Sequence, residues 1–336
     1  MDVTTVLEGR HAGLPDPYKV ALCIEGGGMR GVVSAGMAAA LQDLGAARLF
    51  DHVYGSSAGA LNGAYLLAGQ ADQGLPIYSE ILPERHFVWW RRYLRGGPLL
   101  DLDDLLDVVM GELRPLDWSA LTSSRPTFHA LAYDIAARRS VALPDPRSRE
   151  QLFGALRATC RVPIVGGPPV EHDAHRWCDP ALDEPVPCHT PLSHGATHLV
   201  VLSTRPAATL ARALSRARAA SARAAAARTA AAGTAGLRRR VGDRLLTRWE
   251  PELAGVPLSN ASANEREASV LAELVASGRA LVVAPEGAVV GRLEMDPERL
   301  RRGAEQGRTA VLRSALATLG SGSGARLGLT VPLLAA

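Results

Sequence analysis

The stretch Gly55-Ser56-Ser57-Ala58-Gly59 carries the spacing G-x-S-x-G. In that pattern a serine hydroxyl stands on a strained strand-to-helix turn, and small neighbours let the backbone bend and a substrate come close. Its chemistry is nucleophilic attack on an acyl carbon. The plainer alternative is a pair of serines that caps a helix beginning at Ala58. The flanks favour the first reading, because a short strand, Asp51 to Gly55, leads in and a helical run, Ala58 to Ala68, leads out. A helix N-terminus under Ser57 would also favour the charge that develops as the hydroxyl loses its proton.

Upstream, Gly26-Gly27-Gly28-Met29-Arg30-Gly31 satisfies G-x-G-x-x-G, the spacing of a dinucleotide-binding turn. Such a turn needs an acidic residue ending the next strand to hold a ribose, whereas here the next strand ends at Tyr54-Gly55 and enters the serine turn. Two loops side by side at the carboxyl ends of adjacent strands would instead set backbone N–H groups beside a nucleophile. That is an oxyanion hole, and glycines expose its amides. Nucleotide binding stays as the lesser alternative.

A serine hydroxyl needs a base. His52 lies just before a strand, and His172, His175, His189, His194 and His198 fall near turns. Triad partners meet only in space, so a histidine base stays open. Asp179 is better placed, in Trp177-Cys178-Asp179-Pro180-Ala181, where a short apolar piece delivers a carboxylate into a proline-rich loop.

These residues need elements to hold them. Lys19 to Ile24 is a short apolar run that stops at glycines, which predicts a buried strand. From Gly31 to Leu44 apolar residues recur at helical spacing, with Gly45 where a helix would end. Strands are also expected over Thr127 to Tyr133, Ser140 to Leu143, His198 to Ser203 and Ala280 to Ala284, and helices over Arg149 to Cys160 and Pro297 to Leu316. Alternating strands and helices predict an α/β fold, a mainly parallel central sheet between two helical layers. Past Pro206 an Ala/Arg tract runs to Arg248, helix-prone and expected to break near Gly233 and Gly236, with a solvated arm or linker as its simplest form. The expected organisation is an N-terminal lead over 1–18, a catalytic core over 19–206, the helical insertion or linker over 207–250, and a segment over 251–336 that returns a strand and a helix to the core.

The 336 residues are 47% hydrophobic, ample for one large domain. A formal net charge of +3 is too small for so long a chain to signal nucleic-acid binding. Cys23, Cys160, Cys178 and Cys188 lack paired spacing, which fits reduced thiols and a cytoplasmic location. No apolar run approaches the ~20 residues that cross a bilayer, so any membrane contact is expected to be peripheral.

Taken together, the glycine loop, the serine elbow and the Asp179 segment resemble the bacterial branch of the patatin-like phospholipase family over roughly Val20 to Pro206. Glu25 stands ahead of the loop as in many bacterial members, and Ala158-Thr159-Cys160-Arg161-Val162-Pro163 looks like the family's small-residue segment. The resemblance implies a Ser-Asp dyad, with Ser57 as nucleophile, Asp179 as base and the amides around Gly27 and Gly28 as oxyanion donors, acting on acyl lipid or phospholipid without a cofactor. One departure is plain: Asp179-Pro180-Ala181 has proline where the family has glycine. Proline fixes φ and removes an N–H, so a catalytically weak lipid-binding or regulatory protein is the alternative. Asp183 is a second carboxylate, but Pro187 keeps its family offset from Asp179.

Other signals point elsewhere. His172, His175, Cys178, Cys188 and His189 fit no standard zinc spacing, and a hairpin tip leading to Asp179 is the better account. Asp101, Asp103, Asp104 and Asp107 lack the glycine and terminal glutamate of a calcium loop and read as the wet face of a helix with buried leucines. Arg30 could anchor its loop or meet an anionic head group, while a surface ion pair is the commoner role of a loop arginine. In Phe87 to Tyr93, Trp89 and Trp90 beside Arg91 and Arg92 suit either core packing or a lipid–water boundary near the acyl site.

Overall fold

The computed structural model describes residues 1–226, 238–257, 261–287 and 290–314. Among them, eight strands form one sheet: β1 (Val20–Ile24), β2 (His52–Ser56), β3 (Thr127–Asp134), β4 (Arg139–Ala142), β5 (Val170–His172), β6 (His175–Cys178), β7 (His198–Leu202) and β8 (Ala280–Val283). The order is β5-β6-β3-β2-β1-β7-β8, with β4 also paired to β3. From β3 through β8 this order is parallel, while β4, β6 and β5 add antiparallel pairings at one edge. Ile24 pairs with both Gly55 and Leu202, so the chain turns after β1 and after β2 leave the same sheet edge side by side.

The principal helices are α1 (Val3–His11), α2 (Gly31–Asp43), α3 (Ala58–Leu67), α4 (Arg149–Cys160), α5 (Ala207–Ala226), α6 (Arg238–Trp249), α7 (Ala261–Ala276) and α8 (Pro297–Leu312). Side chains of a strand alternate between faces, and β1 uses both. Val20, Leu22 and Ile24 enter a core with residues of α2, α3, α4 and α8, while Ala21 and Cys23 enter a second core with α5 and α7. The result is the three-layer α/β sandwich with a mainly parallel sheet expected from the sequence.

Two elements depart from the simplest reading of the sequence. The lead before β1 holds α1, capped by Asp2, whose Val3, Val6 and Leu7 are buried one helical turn apart. The described parts of the Ala/Arg tract are helical as expected, but the first is no solvated arm. Leu210, Leu214 and Ala217 recur at helical spacing and seal one face of the sheet, which leaves the arginines between them outward. The break expected at Gly233 and Gly236 lies outside the described residues.

The returning segment is tightly joined to the core. Gly36 of α2 lies on the Ala304 carbonyl and Gly307 of α8 on the Val33 carbonyl, so the two helices cross with their backbones in contact. Asp104–Leu113 is a helix with a buried face of Leu105, Leu106, Val109 and Met110, wound in the wider π form. Its preceding and outer aspartates, Asp103 and Asp107, pair with Arg157.

Candidate active site

Gly55 and Ser56 end β2, Ser57 is the turn, and Ala58 and Gly59 open α3. Ser57 has φ 54° and ψ −129°, a conformation costly for a residue with a Cβ. The turn is tight because α3 starts directly over the sheet: a Cβ on Gly59 would overlap the Ile24 carbonyl. Thr159, at the end of α4, holds the strained residue by accepting the Ser57 N–H on its Oγ1 at 2.9 Å. The Ser57 side chain, nearly buried, lies beside the carboxylate of Asp179 and pulls that carboxyl downward.

Asp179 follows β6, and its N–H donates to the Arg161 carbonyl at 3.0 Å. One carboxylate oxygen accepts the Ala181 N–H at 2.9 Å and so caps the 3-10 turn Pro180–Leu182. Pro180 occupies the first position of that turn, where no N–H is required, and Asp179 at φ −57° and ψ 131° has the extended conformation that a residue before proline prefers. The proline is therefore accommodated without turning the carboxylate away. Asp179 is 1% exposed, and burial pushes its carboxyl up to about 6, against the opposing pull of Ser57, the Ala181 N–H and the charge of Arg292.

Most of the other candidate bases are engaged elsewhere. Asp183 accepts the Ser140 N–H at 2.9 Å and pairs with Arg266 at 2.7 Å. His52 bonds His129, His194 bonds Tyr54, His175 bonds Asp134, and His198 bonds the Met1 carbonyl. Among the described residues no histidine hydrogen-bonds Ser57 or Asp179. His172 and His175 flank the tip of the β5–β6 hairpin, as expected of the segment that leads to Asp179.

The glycine loop divides in two. Met29, Arg30 and Gly31 donate their N–H groups to the carbonyls of Arg292, Gly27 and Gly28, respectively. Among the described residues, the N–H groups of Gly26, Gly27 and Gly28 have no acceptor. The free donors of the loop are thus its first three residues. Gly28, at φ 59°, brings its α-carbon so near the Arg292 carbonyl that a Cβ would stand 2.7 Å from that oxygen.

A buried ionic cluster fixes the base of the loop. Glu25 accepts from Ser203 Oγ at 2.6 Å and from the Thr204 N–H at 2.9 Å, and it meets Arg205 at 3.0 Å and Arg30 at 3.6 Å. Burial alone would raise the Glu25 carboxyl, but the two arginines and these hydrogen bonds outweigh it and hold the group below its ordinary value. Arg30 also donates to Thr204 Oγ1 at 3.0 Å. It is a partly buried anchor of the loop.

An apolar pocket opens from Ser57. Leu61 and Tyr65 of α3, Ile77, Phe87, Leu105 and Met110 are among its walls. The polar groups of Asn62, Tyr65 and Tyr78 on its wall are engaged with the protein. Asn62 donates to the Gly31 carbonyl at 2.8 Å and to Ser34 at 2.9 Å, and accepts from Tyr78 at 3.1 Å, while Tyr65 donates to the Arg114 carbonyl at 2.6 Å. With those groups satisfied, the pocket offers dispersion and little hydrogen bonding. Cys160 also lines it, its thiol pushed up by burial. Sequence reasoning named neither Thr159 nor the Arg161 carbonyl as supports, and it missed Arg292. Only the small-residue segment around Thr159 hinted at the first two.

The family model for patatin-like phospholipases matches residues 22–192, half of the chain. Uncharacterized protein YjjU of Escherichia coli (strain K12) is 28% identical over 196 residues, which make up 56% of this chain and 53% of YjjU, so the chain spans about half of that relative's length. Among solved structures, VipD from Legionella pneumophila aligns with 90% of this chain and 67% of its own, at 12% identity and a TM-score of 0.44. The family match takes in the glycine loop, the serine elbow and the Asp179 turn, and the chain belongs to the patatin-like phospholipase family.

Proposed function

We propose that the chain is a serine acyl hydrolase of lipid esters, with Ser57 as nucleophile, Asp179 as general base and the free N–H groups of Gly26 to Gly28 as oxyanion donors. Asp179 takes the Ser57 proton as Oγ bonds to the ester carbonyl carbon. The carbonyl oxygen, now negative, lies against the loop amides. Collapse expels the alcohol, which carries away the proton from Asp179. Water then gives Asp179 a proton as it attacks the acyl-serine, and the fatty acid leaves with Ser57 reprotonated.

The observation that carries this reading is the Ser57 side chain set beside a buried carboxylate at the mouth of an apolar pocket. A carboxyl near 6 is a stronger base than an ordinary aspartate and is still largely ionised at neutral pH. The Pro180 geometry supports a competent base over a spoiled one. The pocket follows α3 from Ser57 to Tyr65, about 12 Å at 1.5 Å per residue, which suits one extended acyl chain of roughly ten carbons.

We further propose that the protein meets its lipid at a membrane surface. Trp89, Trp90 and Leu94 are 41%, 56% and 83% exposed, respectively, and Arg91 and Arg95 stand exposed beside them. Phe87, two residues before Trp89, lines the pocket. Among the described residues no helix is long and apolar enough to span a bilayer.

The deciding experiment is hydrolysis of a p-nitrophenyl ester series by folded wild type, Ser57→Ala and Asp179→Asn, with fluorophosphonate labelling alongside. Both variants are expected to lose activity, and labelling is expected to vanish with Ser57→Ala. A folded wild type inert to esters and to the probe overturns the proposal.

A further inference from the structure

The apolar pocket opens at one end. Of the residues that line it, only Gly28 and Val162 are half-buried, and the rest are buried. The opening therefore lies beside Ser57, between the glycine loop and the segment after α4, and a chain that enters there runs along α3 past Leu61 toward Tyr65. Tyr65 is the lining residue of α3 farthest from Ser57, and it is 3% exposed.

The Tyr65 hydroxyl donates to the Arg114 carbonyl at 2.6 Å, and Arg114 is exposed, so the phenol stands between the pocket and a surface residue. Its ring is firmly seated. Gly74 of the short helix Ala71–Pro76 also lines the pocket and lies so close to the ring that a Cβ there would stand 2.8 Å from the ring's Cγ. Just past α3, Gln70 gives its N–H to the Tyr65 carbonyl at 2.8 Å, donates from its side chain to the Pro115 carbonyl at 3.1 Å and accepts the Asp117 N–H at 2.8 Å. The ring, the end of α3 and the 114–117 segment are thus tied together by side-chain and backbone hydrogen bonds.

We propose that Tyr65 closes the far end of the pocket and sets the upper limit on acyl length, at about ten carbons from the reach along α3, so that the site takes medium-chain acyl esters in preference to long-chain ones. The inference rests on the acyl-hydrolase reading of the Ser57 site and names its acyl class and the residue that determines it. Each methylene that enters an apolar pocket gains roughly fourfold in affinity. One that meets a fixed ring gains nothing and must displace close-packed atoms. A smaller side chain at position 65 removes that stop.

The test is binding rather than turnover, in a Ser57→Ala background and with ligands that carry no ester. Equilibrium dialysis compares radiolabelled 1-octanol, 1-decanol, 1-dodecanol and 1-tetradecanol, each with Ser57→Ala alone and with Tyr65→Ala, Tyr65→Leu or Tyr65→Phe added. With Tyr65 in place, affinity is expected to rise roughly tenfold from octanol to decanol and then to stop rising. Tyr65→Ala should carry the rise on to dodecanol by roughly tenfold more, with Tyr65→Leu between the two, and Tyr65→Phe should keep the limit because it keeps the ring. If Tyr65→Ala does not fold, Tyr65→Leu decides. Affinity that climbs through tetradecanol with Tyr65 in place, a limit that stays at decanol in the folded alanine or leucine variant, or no binding of decanol would each overturn the inference. A limit that moves as far in Tyr65→Phe as in Tyr65→Ala would also overturn it, in favour of the Arg114 tie. A limit that follows residue 65 in a protein whose wild type hydrolyses no ester would sink the hydrolase reading and leave Tyr65 as the end of an apolar ligand pocket.

Discussion

Thr159 accepts the N–H of Ser57 on its side-chain oxygen at 2.9 Å, and two residues later the Arg161 carbonyl accepts the N–H of Asp179 at 3.0 Å. One short stretch at the end of α4 therefore sets the distance between the serine and the carboxylate. Thr159→Val keeps the shape and removes the acceptor, leaving a buried N–H unpaired at a cost of about 1–3 kcal/mol. We expect lower thermal stability and a loss of kcat/KM on the order of tenfold or more, with Thr159→Ser close to wild type. Unchanged kinetics in Thr159→Val would show that the elbow holds itself.

Asp179 titrates at about 6 in the folded protein, against an ordinary value of 3.8. The kcat/KM profile should rise through that pH as the base ionises, and a limb near 4 would count against Asp179 as the base. The raised folded value also has a stability consequence. The folded state holds this proton more tightly than the unfolded chain, so its favourable contribution is full below 3.8 and is lost as pH rises through about 6. Asp179→Asn should therefore be inactive yet more stable than wild type at pH 8, by about 2 kcal/mol, with the gain fading toward pH 4. Denaturant melts at the two pH values check this.

Leu61 lies one helical turn beyond Ser57 on the pocket wall. Leu61→Trp should fill the channel and lower the ratio of decanoate to acetate ester hydrolysis by roughly tenfold, with acetate hydrolysis much less affected. A parallel fall for both esters would mean that the chain does not lie along α3.

Replacing exposed Trp89 and Trp90 with serine removes the aromatic part of the surface beside Phe87. Sedimentation with anionic phospholipid vesicles should weaken by roughly tenfold, while turnover of a soluble acetate ester stays near wild type. Vesicle binding that ignores both tryptophans would move the contact to another face.

His129 stacks on Tyr54, bonds His52 at 3.1 Å, and has its imidazolium disfavoured by burial and by His52 and His194, to about 4. Its contribution to stability is complete above the ordinary 6.5 and is lost as pH falls from there to about 4. Wild type should lose stability over that window, and His129→Gln should lose less. Parallel pH dependences for the two proteins would remove His129 as the cause.

Much of the site was legible because its signals are local. A strand, a glycine loop and a helix occur in sequence, and the G-x-S-x-G elbow sits between its own strand and helix. Asp179 was legible as a carboxylate delivered by a short apolar strand. Thr159 and Arg292 were not, since each acts on a residue far along the chain and neither sits in a periodic pattern that signals contact. Arg30 could be narrowed only once Glu25, Thr204 and Arg205 were seen around it. The first part of the Ala/Arg tract was hard to place for a related reason. Leu210 and Leu214 are sparse among alanines, and only the exposed sheet face opposite them makes their spacing a buried stripe.

The tie between Met29 and the Arg292 carbonyl joins the loop after β1 to the segment that follows β8. During synthesis, Ser57 and Asp179 emerge well before Arg292. A nascent chain that has built the sheet from β1 to β7 thus carries a serine and a carboxylate but lacks the strap that seats the glycine loop. On the proposed mechanism, attack on lipid would begin only after the strap arrives, so the order of translation itself would delay hydrolysis.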